Sequence, residues 1–471
     1  MSLLQEIDRR QATVAVIGLG YVGLPLAVAF AEAGFRVIGI DVNQERVDAV
    51  NRGESYVSDV PSEQLTPLVA GTVNGEQPSV NSDQLSVNLQ SPIPNLQSPI
   101  SNPKLLATAD YDVLHDVDVA IICVPTPLSK TKDPNMSYII AATDAIARHL
   151  HPDMLIVLES TTYPGTTEEL ILPRLQSSQL TNDKSLLTVG EDFFLAFSPE
   201  RIDPGRKDYT IRNTPKVIGG MTSACTAMAQ AFYATAIERV VPVASPKVAE
   251  MVKLLENTFR AVNIALVNEV AIMCDRLGID VWEVIEAADT KPFGFMTFYP
   301  GPGLGGHCIP IDPQYLAWKL KTINYNARFI QLASEINFGM PQYVLGKIAD
   351  ALNESAKPLK GSQVLVLGVA YKADVGDLRE SPALDLIHLL QEKGVDVAYH
   401  DPYVPHLDVD GLVMTGVSLD RDALRAADCV VIAADHSSYD WEWVVENSRL
   451  VVDTRNATRE VRAGEARVVK L

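Results

Sequence analysis

The chain has 471 residues, 47% of them hydrophobic and 21% charged, the balance of a globular enzyme with two or three domains and enough chain for full cores. Its 59 acidic residues outnumber 39 basic ones, for a formal net charge of −20, which repels a phosphate backbone and argues against nucleic acid as a partner. Anionic small molecules stay admissible, because backbone N–H groups can bind them locally.

The opening MSLLQEIDRR has no basic stretch followed by an apolar core, and apolar runs such as VAVIGLG and VLVLGVA are too short for a bilayer. The expectation is a cytoplasmic protein with no membrane partner. Residues 13–41 then read strand, glycine turn, helix, strand: TVAVIGLG is an apolar run suited to burial on both faces, YVGLPLAVAFAEAG has helical spacing and stops at Gly34, and FRVIGID is the next strand. Gly18, Gly20 and Gly23 form GxGxxG between them, and Asp41 closes the second strand. In that context the motif is a dinucleotide fingerprint. Gly18 permits the tight turn, Gly20 lets a pyrophosphate reach the backbone, and Gly23 allows close helix–strand packing, with Tyr21 and Val22 completing the turn. Asp41 can accept hydrogen bonds from adenosine ribose hydroxyls and would repel a 2′-phosphate. The expected cofactor is therefore NAD rather than NADP, with Arg46 nearby as a further contact.

DVAIICVP, DMLIVLES, FFLAFSP and KVIGG are further buried strands, and their alternation with helices implies a parallel, doubly wound sheet. Residues 72–103 break the rhythm. They are rich in Ser, Asn, Gln and Pro and repeat NLQSPI at 88–93 and 95–100. Such a composition cannot bury enough apolar surface to offset chain entropy, so a flexible surface insertion is expected, with a partner-binding loop as the alternative. Residues 246–275 hold no Gly or Pro after the first position; they predict one helix of about 45 Å, linking two domains and offering a dimerisation face. The division expected is 1–245, 246–340 and 341–471. From residue 360 a second α/β pattern begins: GSQVLVLGVAYK, the helix SPALDLIHLLQEKG, then VDVAYHDP, CVVIAAD and RLVVDTRN as strands, without a three-glycine turn. The expected fold is thus α/β: two Rossmann-like doubly wound domains joined by a long central helix.

Five cysteines, at 123, 225, 274, 308 and 429, show no CxxC pair or Cys/His cluster, so no metal is expected. Four read as small buried apolar residues. Cys308 differs, because GPGLGGHCIPIDP surrounds it with glycines and prolines that let the backbone approach a ligand. A thiolate there can add to an aldehyde, and hydride loss from the adduct gives a thioester that water releases as an acid. One site could then perform two oxidations.

The segments VIGLGYVGLP, CVPTP, ESTTYPGTTE, FSPERIDPG, KLLENTFRAVNIALVNE, GGHCIPIDP and YKADVGDLRESP together resemble the UDP-glucose/GDP-mannose dehydrogenase superfamily over nearly the whole chain, the 72–103 stretch excepted. TKPFGFMTFYPGPGLGGHCIP and FSPERIDPG are similar to its branch of UDP-N-acetylglucosamine 6-dehydrogenases. The resemblance implies Cys308 as nucleophile, and Lys253 with Asn257 as stabilisers of the developing negative oxygen. It implies Asp312 as holder of Lys253 and a water, Glu200 as the carboxylate of thioester hydrolysis, and Thr161 as a hydroxyl orienting water or cofactor, confusable with Thr162 by one residue. Thr126, Thr161 and Arg379 match cofactor contacts. Tyr371 and Lys372 match a sugar-nucleotide site, with Phe298 to Gly303 lining the diphosphate and uridine in the second α/β domain. His307 is weighed as a catalytic base and set behind the others, since adjacent side chains on a loop often point apart. A homodimer or higher homo-oligomer is implied. Other readings are a UDP-glucose or UDP-N-acetylmannosamine dehydrogenase, an alcohol dehydrogenase making one oxidation without Cys308, and a non-catalytic nucleotide-sugar sensor.

Overall fold

The computed structural model describes residues 2–57, 59–70, 103–129, 133–181, 187–202, 208–409, 411–461 and 466–471. The repeat-bearing segment expected at 72–103 lies outside the described residues, except for Pro103. The chain forms two compact units, residues 1–127 with 134–253, and residues 128–133 with 254–471.

The first unit is built on eight strands: β1 (Thr13–Ile17), β2 (Arg36–Ile40), β3 (Leu105–Thr108), β4 (Val119–Ile122), β5 (Leu155–Leu158), β6 (Phe194–Phe197), β7 (Lys216–Gly220) and β8 (Val240–Val243). They lie in the order β3-β2-β1-β4-β5-β6-β7-β8. Successive residues of a strand point to opposite faces, and β1 shows the consequence. Val14 and Val16 join one core with Phe30, Phe35 and Phe232, while Ala15 and Ile17 join the other with Ile122, Ile146 and Leu158. A strand apolar on both faces is what a covered sheet needs. Phe30 stacks on Phe232 with ring centroids 4.3 Å apart.

The expectation of a parallel sheet needs one correction. β6 and β7 pair antiparallel, Ala196 with Gly220 and Phe197 with Gly219, whereas every other pairing in this sheet is parallel. Parallel neighbours need a crossover, usually a helix, and the described residues between β6 and β7 contain none. The two glycines closing β7 have a steric reason: a Cβ on Gly219 would sit 2.1 Å from Ser245 O, and one on Gly220 2.3 Å from Thr226 N.

The helix Pro246–Leu277 has 32 residues, two beyond the expected end, about 48 Å in all. It carries the chain from the first unit into the second and stops at Gly278, whose φ is +68°. The second unit adds helices Val281–Asp289, Asp312–Lys321 and Arg328–Glu354, then β9 (Gln363–Leu367), β10 (Asp396–His400), β11 (His406–Val409), β12 (Leu412–Thr415), β13 (Cys429–Ile432), β14 (Leu450–Asp453) and β15 (Arg467–Lys470). Five of these strands form a parallel sheet in the order β10-β9-β13-β14-β15, and β11 with β12 makes a separate hairpin. No described helix is long and apolar enough to cross a membrane.

Candidate active site

Gly18 takes φ +93° directly after β1, and its N–H donates to Ile40 O at 2.7 Å. A Cβ on Gly23 would lie 1.8 Å from Gly18 O, whereas one on Gly20 would meet nothing within 4 Å. Gly23 is thus fixed by packing and Gly20 by open room over the turn. The helix Gly23–Glu32 starts from Val22, with no side-chain cap and no acidic residue in its first turn. Its leading N–H groups and positive dipole end suit a phosphate, and Tyr21 is 49% exposed at that point. Asp41 is buried at the end of β2; Oδ2 accepts from Leu19 N at 2.8 Å and Oδ1 from Asn43 N at 2.9 Å. Arg46 reaches Asp41 Oδ2 at 3.5 Å and lies over the Tyr56 ring. The turn, the uncapped helix and the carboxylate together fit the pyrophosphate and ribose of a dinucleotide.

The same device recurs in the second unit. Gly368, with φ +79°, follows β9 and donates to His400 O at 2.9 Å. Asp401 follows β10, and its Oδ2 accepts from Val369 N at 2.7 Å and Ala370 N at 3.1 Å. Here Ala370 and Ala373 stand where the first turn has Gly20 and Gly23. His436, fully buried, also donates through Nε2 to Asp401 Oδ2 at 3.0 Å, and its Nδ1 accepts from Asp374 N at 2.9 Å. Burial pushes the Asp401 carboxyl up, but His436 and the backbone amides outweigh it and hold it below the usual range.

Beyond the glycine turn, the first unit buries a charged cluster. Lys216, which opens β7, bonds Glu159 Oε2 at 2.7 Å and Glu200 Oε2 at 3.1 Å. Glu159 also accepts the Tyr233 hydroxyl. Glu200 Oε1 accepts from Arg201 N at 2.7 Å and Ile202 N at 2.8 Å. Burial pushes both carboxyls up. For Glu200, Lys216, the Ile202 amide and Lys253 prevail and hold it low; for Glu159 burial and Glu200 prevail and hold it high. Lys253 is buried on the long helix and donates from Nζ to Glu200 O at 2.5 Å. Three residues earlier on that helix, buried Glu250 accepts from Gly165 N at 2.5 Å, Thr167 N at 2.9 Å and Thr167 Oγ1 at 2.8 Å. It thereby fastens the loop bearing Thr161 and Thr162. Thr161 is half-buried, whereas Thr162 is buried and shares a 2.5 Å hydrogen bond with Thr166.

The cysteine loop lies in the second unit. Cys308 is half-buried while the other four cysteines are buried thiols. Burial pushes Cys123 well up and Cys429 up to about 12, which makes them poor nucleophiles. Asp312, buried at the start of its helix, donates its N–H to Cys308 O at 2.8 Å, and its Oδ2 accepts from Asn257 Nδ2 at 2.5 Å. Asn257, Asp312 and the Cys308 backbone are thus brought together. His307 is half-buried beside them.

Glycine is required in the approach to Cys308. A Cβ on Gly305 would stand 2.6 Å from Tyr371 Cβ, and Gly306, at φ +90°, lies against the Tyr371 ring and donates to Arg379 O at 3.0 Å. Gly303, at φ +145°, packs on Pro382. Gly301 N donates to Asn268 Oδ1 at 2.9 Å, Asn268 Nδ2 to Asn337 Oδ1 at 2.9 Å, and Asn337 Nδ2 to Ala261 O at 3.1 Å. This buried amide chain ties the loop to both long helices of the unit.

The remaining expected contacts divide between the units. Thr126 is buried in the first unit. In the second, Arg379 forks onto Asp377, Nε to Oδ1 at 2.9 Å and Nη2 to Oδ2 at 2.6 Å. Tyr371 and Lys372 are half-buried, and Phe298 sets its ring edge against Phe259 at 5.8 Å. Lys216, Glu159, Tyr233, Glu250, Asn268 and Asn337 escaped the sequence reading. The available signal was a charged residue at the end of an apolar strand, in LIVLE and KVIGG, since Lys and Glu are buried only when paired.

Fold and site define a class: a Rossmann-type, NAD-dependent dehydrogenase with a second nucleotide-binding α/β domain. The chain belongs to the UDP-glucose/GDP-mannose dehydrogenase family. Residues 12–93 and 77–237 match its NAD binding domain, 247–338 its central domain and 365–460 its UDP binding domain. It is 35% identical over 463 residues to an NDP-N-acetyl-D-galactosaminuronic acid dehydrogenase of Ralstonia solanacearum, covering 96% of each chain. It is 34% identical over 430 residues to a UDP-N-acetyl-D-glucosamine 6-dehydrogenase of Pseudomonas aeruginosa, covering 90% of this chain and 91% of the other. The structure of a UDP-D-ManNAc dehydrogenase from Pyrococcus horikoshii superposes with a TM-score of 0.81 at 32% identity, covering 97% of this chain and 99% of that one. NAD is the cofactor, and a UDP-sugar is the substrate class.

Proposed function

We propose that the protein oxidises the C6 primary alcohol of a UDP-N-acetylhexosamine to the carboxylate in two steps, with UDP-N-acetylglucosamine as its preferred substrate and Cys308 as covalent nucleophile. The observation that carries this is the single half-buried thiol, in a glycine-rich loop whose first helical residue, Asp312, is held by Asn257. Gly18, Gly20, Tyr21, Val22, Gly23, Asp41 and Arg46 would hold NAD, with Thr126, Thr161 and Arg379 as further contacts, and the cofactor would supply the hydride acceptor for each oxidation.

The protein's own groups do the rest. Lys253 and Asn257 stabilise the oxygen that becomes negative as the alcohol gives its proton to water and its hydride to the cofactor, and again when sulfur adds to the aldehyde. The thiohemiacetal loses its carbon-bound hydrogen as hydride to the second equivalent of cofactor and its hydroxyl proton to water, giving a thioester, and water is then the second nucleophile. Glu200 takes the proton of that water, its oxygen bonds the carbonyl carbon, the C–S bond breaks, and the sulfur leaves with the electron pair. Tyr371, Lys372, Phe298 and Gly303 hold the nucleotide sugar. The working divisions are 1–245, 246–340 and 341–471, and the enzyme is a cytoplasmic homodimer or higher homo-oligomer. The preference for UDP-N-acetylglucosamine rests on TKPFGFMTFYPGPGLGGHCIP and on likeness to the Pseudomonas enzyme. Likeness to the Pyrococcus protein favours UDP-N-acetylmannosamine as a second reading. Turnover of both sugars and UDP-glucose side by side separates them: the first reading expects kcat/KM highest for UDP-N-acetylglucosamine, and a higher value for either other sugar overturns it.

A further inference from the structure

We propose that Lys216 is a positioning residue that keeps Glu200 an anion poised to accept a proton from water, with Glu159 as the deeper acceptor that holds Lys216 in place. The proposal deepens the reading of Glu200 as base of thioester hydrolysis and rests on it.

The geometry is specific. Glu200 follows β6, Lys216 begins β7 and Glu159 follows β5, so three neighbouring strands deliver three charged side chains to one buried point. The Lys216 ammonium lies 2.7 Å from Glu159 and 3.1 Å from Glu200, with side-chain exposures of 5%, 0% and 11%. Two carboxylates thus share one cation in a place where an uncompensated charge is strongly disfavoured. Glu200 has the larger share of donors. Oε1 takes the Arg201 and Ile202 amides and Oε2 takes Lys216. An ionised carboxylate offers about four acceptor sites; among the described residues three donors orient the group, and a proton from water can go to the fourth site.

Glu159 has the Tyr233 hydroxyl and Lys216 as partners and lies deeper. Among the described residues, the other charged or titratable groups acting on Glu200 are Lys253, which bonds its backbone oxygen, the buried Cys123 and Tyr233, and Arg201, whose Nη1 goes to Pro215 O at 2.7 Å. The opposite displacement of the two carboxyls, Glu200 down and Glu159 up, follows from this unequal supply of donors.

The role makes a prediction with a definite sign. Removing Lys216 raises the pH at which Glu200 becomes a competent base. Glu159, held higher, is already neutral where Glu200 titrates, so replacing its carboxyl leaves that pH in place. Release of acid from the acyl-enzyme is measured by rapid quench across the acidic pH range, beside the pre-steady-state NADH burst. Lys216→Met is expected to keep the burst while the acid limb of the release step moves to higher pH, costing about tenfold in rate per unit of displacement. Glu159→Gln, which keeps an acceptor for Lys216, and Lys216→Arg, which keeps the cation, are both expected to leave the limb in place; a displacement by either as large as that of Lys216→Met overturns the assignment to the cation. A merely structural role would shrink the burst and leave the limb in place. Should Lys216→Met not fold, the double variant Lys216→Met/Glu159→Gln, which removes the cation together with the deeper carboxyl, decides alone: an unmoved or lowered limb overturns the proposal. Glu200→Gln separates the two layers. If it releases acid at the wild-type rate, the base reading falls and Lys216 with it. If it stalls after the burst while neither Lys216→Met nor the double variant moves the limb, the Lys216 proposal alone is overturned.

Discussion

Asn257→Ala removes one buried donor at the most tightly coupled point of the thiol loop. The Asn257 amide lies 2.5 Å from Asp312 Oδ2, and Asp312 in turn donates its N–H to Cys308 O. A hydrogen bond to an ionised group contributes about 1.5–3 kcal/mol, so its loss at the proposed reacting centre corresponds to roughly a ten- to 150-fold fall in kcat/KM. Part of that loss is expected to appear as a lower urea midpoint, because the Asp312 carboxylate stays buried without this donor. Asn257→Asp is the sharper control. Two carboxylates at that spacing cannot both ionise readily, so one retains a proton in the folded state above the ordinary carboxylate range. The fold then binds more protons than the unfolded chain between the two values, and the variant must lose stability as pH rises through that window. Steady-state kinetics and urea titrations at several pH values read both effects. If Asn257→Ala stays within twofold of wild type in kcat/KM with an unchanged urea midpoint, the coupling inferred between the helix amide and the thiol loop is wrong.

Other outcomes follow from the same geometry. Cys308→Ser is expected to retain NAD binding, seen by fluorescence titration, while acid production falls by several orders of magnitude; full acid production would remove the thiol from the mechanism. Asp41→Asn exchanges a charged acceptor for an amide, so KM for NAD should rise about tenfold or more and discrimination against NADP should narrow. An unchanged KM would mean that the carboxylate serves only the Leu19 and Asn43 amides. Asp401 is held below its ordinary range, so its stabilising contribution is complete above the unfolded carboxyl value and is lost as pH falls through the lower folded value. Asp401→Asn should flatten the acid side of the stability profile; a profile parallel to wild type would contradict the assignment.

The sequence was most legible where one physical demand dominated. β1 and β4 are buried on both faces and read as apolar runs, and the Gly18 turn read correctly because only glycine fits φ +93° against the Cys123 carbonyl. β8 and β15 at sheet edges were missed, since half-exposed strands carry mixed residues that look like loop. The β11–β12 hairpin left a signal that went unused, Asp-Gly at 410–411 between short apolar runs. The antiparallel turn at β7 has no local signature, because strand direction is set by what the connecting chain does.

The same distinction holds at the site. Cys308 stood out by its glycines, and Lys253, Asn257, Glu200 and Asp312 by motifs. Lys216 and Glu159 were passed over because a charged residue at a strand end looks solvated until its partner, distant in sequence, is known. Asn268 and Asn337 were hidden for the same reason: 69 residues separate two amides that meet at 2.9 Å.

The most direct test of the central claim is the number of NADH formed per UDP-N-acetylglucosamine consumed. Capture of the aldehyde by the Cys308 thiolate gives two NADH per sugar, with the uronic acid as the released product. One NADH per sugar, with free aldehyde accumulating, would contradict covalent two-stage oxidation.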